Sequence, residues 1–303
     1  MKFTHKILSA AAAVAFVAAT GFGLAPAAKA DDHEIKVGII LGFTGPIESL
    51  TPGMAASAEL ALKEVTASGK LLGGKAIVGI RADSTCVDSA AAMAAAERLI
   101  TSDSVAAIMG ADCSGVTTSI ANNTAVPNGV VMISPSATSP ALSTIEDKGF
   151  FFRTAPSDAR QGQVLADVLE SRGISNVAVT YTNNDYGKGL ADSFIAAFKA
   201  QGSTVEMNAA HEDGKGDYSA EVGALASAGG DLLVVAGYLD QGGAGIIKSA
   251  LDAGAWVRAY VSMCFGDPWE GPVPVEQVVD VCSRLMDLGC DQLSIGDTIG
   301  VGT

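Results

Sequence analysis

The sequence predicts an α/β fold made of two parallel sheets with helices on both faces. Three observations carry this. Strand-like apolar runs alternate with helix-length amphipathic stretches from residue 35 to residue 253. Several runs are apolar without interruption, as in Leu232-Leu233-Val234-Val235, the pattern of strands covered on both faces. The length of 303 residues suits about two domains, and a long polar connection over 134–149 interrupts the alternation near its middle.

The first strand, 35–41 (IKVGIIL), runs into Gly42-Phe43-Thr44-Gly45-Pro46, a turn-forming stretch. A helix follows over 54–68, where Ala55, Ala58, Leu60, Leu62 and Val65 are read at helical spacing. Strand 76–82, helix 90–100, strand 105–109, a helix start at 117–124 and strand 130–133 continue the alternation. A short strand covers 150–153. The second half reads helix 164–171, strand 177–181, helix 189–200, strand 205–209, helix 219–228, strand 232–236 and helix 245–253. A boundary near 154–157 divides the body into two lobes, 31–155 and 156–255.

Composition narrows the function classes. Lys+Arg is 19 and Asp+Glu is 33, a formal net charge of −14, so the surface repels phosphate backbones and nucleic-acid binding is not expected. With 49% hydrophobic and 17% charged residues the chain is too apolar for disorder. Lys2 and Lys6, an apolar stretch over 7–16 and Ala28-Lys29-Ala30 form the three parts of a secretory signal peptide, with cleavage expected after Ala30. The apolar core is shorter than the ~20 residues of a spanning helix, and no later stretch is long enough to span. Removing Lys2, Lys6 and Lys29 takes the charge to −17. In an oxidising compartment Cys86 and Cys113 are available to pair. Cys264, Cys282 and Cys290 crowd the tail, an odd number that sits poorly with export.

In open α/β sheets ligands sit beyond the carboxyl ends of the strands. Ser114 follows a strand and opens a helix, so its hydroxyl and the first-turn N–H groups suit either a plain N-cap or an anion such as a carboxylate. Ser136 and Thr138 offer further hydroxyls in what is also ordinary turn chemistry. Tyr238 ends a buried strand, either walling a pocket or standing at the rim. Glu48, Asp185 and Asp240 are the loop acids available to an ammonium. Catalytic arrangements are poor: His211 is the one histidine available to a triad, it lacks a second histidine for zinc, and no Walker A sequence occurs. His211 is read as a solvated loop residue. No metal or cofactor is expected.

The stretches GFTGPIESLTPGMAASAELALKEV, DSTCVDSAAAMAAAERLI, GADCSGVTTS, VMISPSATSPAL, FFRTAPSDARQG, VAVTYTNNDYGKGLADSF and HEDGKGDYSAEVGAL closely resemble the branched-chain amino-acid-type periplasmic solute-binding proteins of ABC transporters, over residues 34–255. The resemblance implies a type I bilobed fold that hinges closed on one small ligand, a periplasmic location, permease partners and no enzymatic activity. It implies a Cys86–Cys113 disulfide, Ser114 on the ligand's α-carboxylate, and Ser136, Ala137 and Thr138 completing that site. Thr138 also becomes a candidate for the α-ammonium, with Tyr238 and Tyr186 closing from the second lobe.

From about Trp256 the likeness changes. The last stretch, 256–303, resembles an internal β-α-β piece of hydroxymethylglutaryl-CoA lyase, a TIM-barrel enzyme, with Gly296-Asp297-Thr298 and Gly300-Val301-Gly302 matching a strand-end loop. The lyase's metal-binding and catalytic segments have no counterpart here, and a barrel needs eight βα units to close. The second lobe is therefore expected to be incomplete, with 258–265 as a further strand of its sheet and 275–288 as a covering helix. N-terminal sequencing of the exported protein is expected to read Asp31-Asp32-His33; a retained Met1 overturns the leader.

Overall fold

The computed structural model describes residues 34–255, 258–261, 264–265, 271–287 and 289–295. The expected leader, its cleavage site, Trp256 and the lyase-like loop over 296–302 lie outside the described residues.

The first sheet is built from β1 (Glu34–Leu41), β2 (Ala76–Asp83), β3 (Ala107–Gly110), β4 (Val131–Ser134) and β5 (Phe151–Arg153). All pairings are parallel and the order is β2-β1-β3-β4-β5. Three helices connect them: α1 (Thr51–Ser68), α2 (Ser89–Thr101) and α3 (Ser114–Ile120). Strand β1 is buried on both faces from Gly38 to Leu41, which suits its place inside the sheet. Ile40 enters the core formed with Leu99, Val116 and Met132, while Ile39 and Leu41 face Ala55 of α1 on the other side. Helix α2 begins where Asp88 accepts hydrogen bonds from the Ala90 and Ala91 N–H groups at 2.9 and 3.0 Å. Strand β3 starts two residues later than the sequence suggests, because the Val105 N–H donates to Leu99 O at the end of α2 rather than to a neighbouring strand.

The second sheet holds β6 (Asn176–Thr182), β7 (Thr204–His211) and β8 (Leu232–Ala236), parallel, in the order β7-β6-β8. Helices α4 (Asp158–Ser171) and α5 (Asp185–Ala200) cover one face, where Ala166, Leu169, Phe194 and Phe198 pack with Val177, Val179 and Val234. Helices α6 (Ser219–Ser227) and α7 (Ala244–Asp252) cover the other, with Val222, Ile246 and Ala250 against Leu233 and Val235. That two-sided cover is why β8 is apolar at every position. Strand β7 extends through His211, which is 1% exposed, so this residue is a buried strand end and not the solvated loop residue expected.

In the tail, β9 (Arg258–Val261), α8 (Val275–Asp287) and β10 (Gln292–Ile295) form a β-α-β unit. Strand β9 pairs in parallel with β10 as a separate two-stranded sheet. The expected docking of 258–265 onto the second sheet is thus not met, since β10 takes the pairing of β9 and β8 pairs with β6 alone among the described residues. Helix α8 buries none of its described side chains, and Val275 and Val279 are 70% and 56% exposed.

Cys86 and Cys113 form a disulfide with Cα atoms 5.2 Å apart, joining the loop after β2 to the loop after β3 across 27 residues of sequence. Closing a loop of that length stabilises by about 3.5 kcal/mol in the chain-entropy model. Replacing both cysteines by serine is expected to lower the melting temperature by roughly 10 °C; an unchanged melt overturns the assignment of that stability to the bridge.

Candidate functional site

Both sheets share one ordering motif. In each, the first strand in sequence lies between the second and the third, as β2-β1-β3 and as β7-β6-β8. Connections leave such a strand and its neighbour in opposite directions, which opens a crevice beyond their carboxyl ends. The loops after β1, β2 and β3 meet there in the first sheet, and the loops after β6 and β8 meet in the second.

A buried carboxylate organises the first set. Asp112 Oδ2 accepts from the Gly42 N–H at 2.8 Å, and Oδ1 accepts from the Cys113 N–H at 3.0 Å and the Ser84 hydroxyl at 3.3 Å. Burial pushes this carboxyl above its ordinary pKa, while the three donors partly offset that. Gly110 delivers the chain into this loop at φ +130°, where a Cβ would collide with the Ile40 carbonyl oxygen. Ser114 opens α3, is 2% exposed, and its Oγ accepts from the Ser139 N–H at 3.2 Å. Ser136 donates to Asp112 O at 3.0 Å, and the Ala137 N–H donates to Ser134 Oγ at 3.0 Å. These two residues and Thr138 support the loop that carries Ser139 behind Ser114.

The second set begins with Tyr238, reached through Gly237 at φ +141°, where a Cβ would strike Thr182. The Tyr238 ring packs against the core of the first sheet and lies 4.6 Å, centroid to centroid, from Tyr186 at the start of α5. Burial raises both phenols above the ordinary tyrosine range, Tyr238 further, so both rings stay neutral hydrogen-bonding groups.

Between the two sets lies a cavity of about 280 Å³. The first sheet contributes the disulfide, Val87, Ser89 and residues 114–116; the second contributes residues 183–186, Tyr238 and Gln241. Ser114, Tyr186 and Tyr238 are thus brought together at this cavity. Ser136, Ala137 and Thr138 stand behind it, and Glu48 is exposed in the loop after β1, away from its lining. Among the described residues no group of three His, Cys, Asp or Glu side chains is placed to hold a metal.

The family model for periplasmic binding proteins matches residues 34–269, more than two-thirds of the chain. The chain belongs to the periplasmic binding protein family. The match runs past residue 255, where the likeness was expected to end. A Leu/Ile/Val-binding protein homolog of Brucella melitensis is 34% identical over 239 residues, 78% of this chain and 61% of its own. The leucine-specific-binding protein of Salmonella typhimurium is 31% identical, covering 71% of this chain and 57% of its own. In three dimensions the branched-chain amino acid transporter substrate binding protein of Streptococcus pneumoniae, solved with isoleucine, superposes at a TM-score of 0.64 and 28% identity, over 77% of this chain and 65% of that one. The α/β type I fold with parallel sheets is therefore shared, and the chain spans about three-fifths of the length of the curated relatives it matches. Among the described residues no helix is long and apolar enough to cross a membrane.

Three contributors to this binding protein's site escape a reading of the sequence. Asp158, at the first turn of α4, accepts the Thr138 hydroxyl at Oδ2 (2.7 Å) while its own N–H donates to Thr138 O at 2.9 Å. The residue is 1% exposed and its Oδ1 has no partner. Burial raises its pKa, and its charge is close enough to raise those of Tyr186 and Tyr238. Gln241 is 6% exposed and follows Tyr238 at a kink, with non-helical backbone at Gln241 and Gly242 before α7. His211 is the third. The Thr182 hydroxyl accepts from the Tyr238 N–H at 3.1 Å and donates to Gln241 O at 3.5 Å. The His211 Nε2 lies 3.2 Å from the same oxygen and Nδ1 lies 2.8 Å from the Thr180 hydroxyl, so both ring nitrogens are hydrogen-bonded. A neutral imidazole thus pins the hydroxyl that pins Tyr238.

Burial holds the His211 pKa below its ordinary value of 6.5. Its folded pKa is depressed, so its stabilising contribution is full above about pH 6.5 and is lost as pH falls from there. Thermal melts of His211→Gln are expected to show a lower midpoint at pH 7.5, corresponding to a stability loss on the order of 1–3 kcal/mol, and a shallower decline to pH 5.5 than the parent; equal slopes overturn the assignment.

Proposed function

We propose that this chain is an exported receptor, not an enzyme, that captures a small amino acid or related carboxylate and hands it to the permease subunits of an ABC importer. The supporting observation is the cavity where the crevices of two sheets meet, with a buried serine at a helix start on one side and a neutral tyrosine pair on the other. The relatives named as Leu/Ile/Val-binding proteins make a branched-chain ligand the family precedent.

On this reading 31–155 and 156–255 are two lobes that close on the ligand. The first N–H groups of α3 have no intrahelical acceptor; with the Ser114 hydroxyl they take the α-carboxylate. Ser136, Ala137 and Thr138 keep that site in shape. Asp158, with an unpartnered buried oxygen beside Tyr186 and Tyr238, takes the α-ammonium in concert with Thr138. Glu48 faces solvent and reaches a ligand only through movement of its loop. The leader over 1–30, cut after Ala30, sends the protein to the periplasm.

The tail over 256–303 is read as a fragment of hydroxymethylglutaryl-CoA lyase type that adds no chemistry. Its separate two-stranded sheet supports this, while the family match runs into it as far as residue 269.

Calorimetric titration against the twenty amino acids is expected to give saturable binding of at least one. Ser114→Ala is expected to weaken it by about 1–3 kcal/mol. No binding to any member at millimolar concentration overturns the receptor reading, and an unchanged affinity removes Ser114 from the site.

A further inference from the structure

If Ser114 on the lining and Asp158 behind it take the α-groups of an amino acid, as proposed above, the lining beyond Ser114 faces its side chain, and that lining is polar as well as apolar: the disulfide and the rings of Tyr186 and Tyr238 share it with hydrogen-bonding groups. Val87 and Val116 are joined by Ser89, Asn183, Asp185 and Gln241. The hydrogen-bond inventory of these polar groups is unbalanced. Asn184 Oδ1 accepts from the Gly187 N–H at 2.8 Å, which leaves its Nδ2 to donate to Gln241 Oε1, also at 2.8 Å. The Gln241 carboxamide is thereby oriented, and its Nε2 donors have no protein partner although the residue is 6% exposed. Asn183 Nδ2 donates to Glu212 Oε1 at 2.7 Å, leaving the Asn183 carbonyl oxygen as an acceptor. Asp185 reaches towards the opposite sheet: a Cβ placed on Gly115 would lie 3.6 Å from its Oδ2.

The lining therefore offers the Gln241 donor and the Asn183 and Asp185 acceptors beside the hydroxyls of Ser89, Tyr186 and Tyr238, which serve as either, and among the described residues it contains no cationic side chain. An aliphatic ligand would bury these groups without partners, which costs each its lost hydration. A ligand with a side-chain carboxylate would satisfy the Gln241 donor but meet Asp185 with no cation to offset the repulsion. A carboxamide presents a carbonyl oxygen to the donor and an NH₂ to the acceptors. We infer that this cavity selects an amino acid with a carboxamide side chain, asparagine or glutamine in type, over the aliphatic ligands in the names of its relatives. The selection rests on the receptor reading and refines its ligand class.

Asparagine, leucine and aspartate share one branched side-chain shape and differ in hydrogen bonding and charge, so they separate these terms. Titration calorimetry of the full protein with these three and with glutamine is expected to show the better carboxamide binding at least tenfold more tightly than leucine, and aspartate most weakly. Gln241→Leu is expected to narrow the carboxamide-to-leucine ratio to about threefold or less. In Asp185→Asn, a change at an exposed position, aspartate is expected to gain on asparagine. Leucine binding as tightly as the better carboxamide or more tightly, in the unaltered protein, overturns the carboxamide assignment and leaves the receptor standing. Absence of binding by every amino acid overturns both.

Discussion

The structure around the cavity depends on one buried carboxylate. Asp112 receives a backbone N–H from the loop after β1, a hydroxyl from the loop after β2 and a backbone N–H from its own loop after β3. Three chain segments far apart in sequence are thus held to one anionic centre. An unpaired charge in that place would be costly; with three donors aimed at it, the same charge becomes the reason the loops have one arrangement. The placement of Ser114 two residues later follows from this, as does the approach of Cys86 to Cys113.

The second sheet reaches the same end by a neutral route. Its loops are tied by a hydroxyl, an imidazole and a pair of amides rather than by a charge: Thr182 gathers His211, Tyr238 and Gln241, and Asn184 orients Gln241. One rim is therefore fixed around an anion and the other around dipoles.

The elements were legible in the sequence because burial on one face imposes a period, as in α5, and burial on both gives a short apolar run, as in β8 and the end of β1. Ser114 and Tyr238 were legible because each stands in a loop after a strand, where crevices form, and the two cysteines because export implies an oxidising compartment and the resemblance pairs them. What the sequence does not disclose is partnership across distance. Asp158 reads as an ordinary first-turn acid, and its link to Thr138 spans 20 residues. Asn184 and Gln241 are 57 apart, and Thr180 and His211 are 31 apart. His211 looked solvated because it precedes a run of acids and glycines, while the strand that buries it ends one residue before that run. The tail misled differently: its strand pattern was read correctly and its pairing was not, since 258–261 has a partner of its own in 292–295. The helix between them keeps its amphipathic period although none of its described side chains is buried.

The disulfide deserves a thermodynamic reading as well as a structural one. Cys86 and Cys113 are part of the cavity wall, so the bridge is not remote from whatever occupies that space. Oxidation state and occupancy are then linked equilibria: a molecule that gains affinity from the intact wall must stabilise the bridge against reductants by the same free energy. The crosslink that staples the loops is in this sense also a ligand-responsive bond.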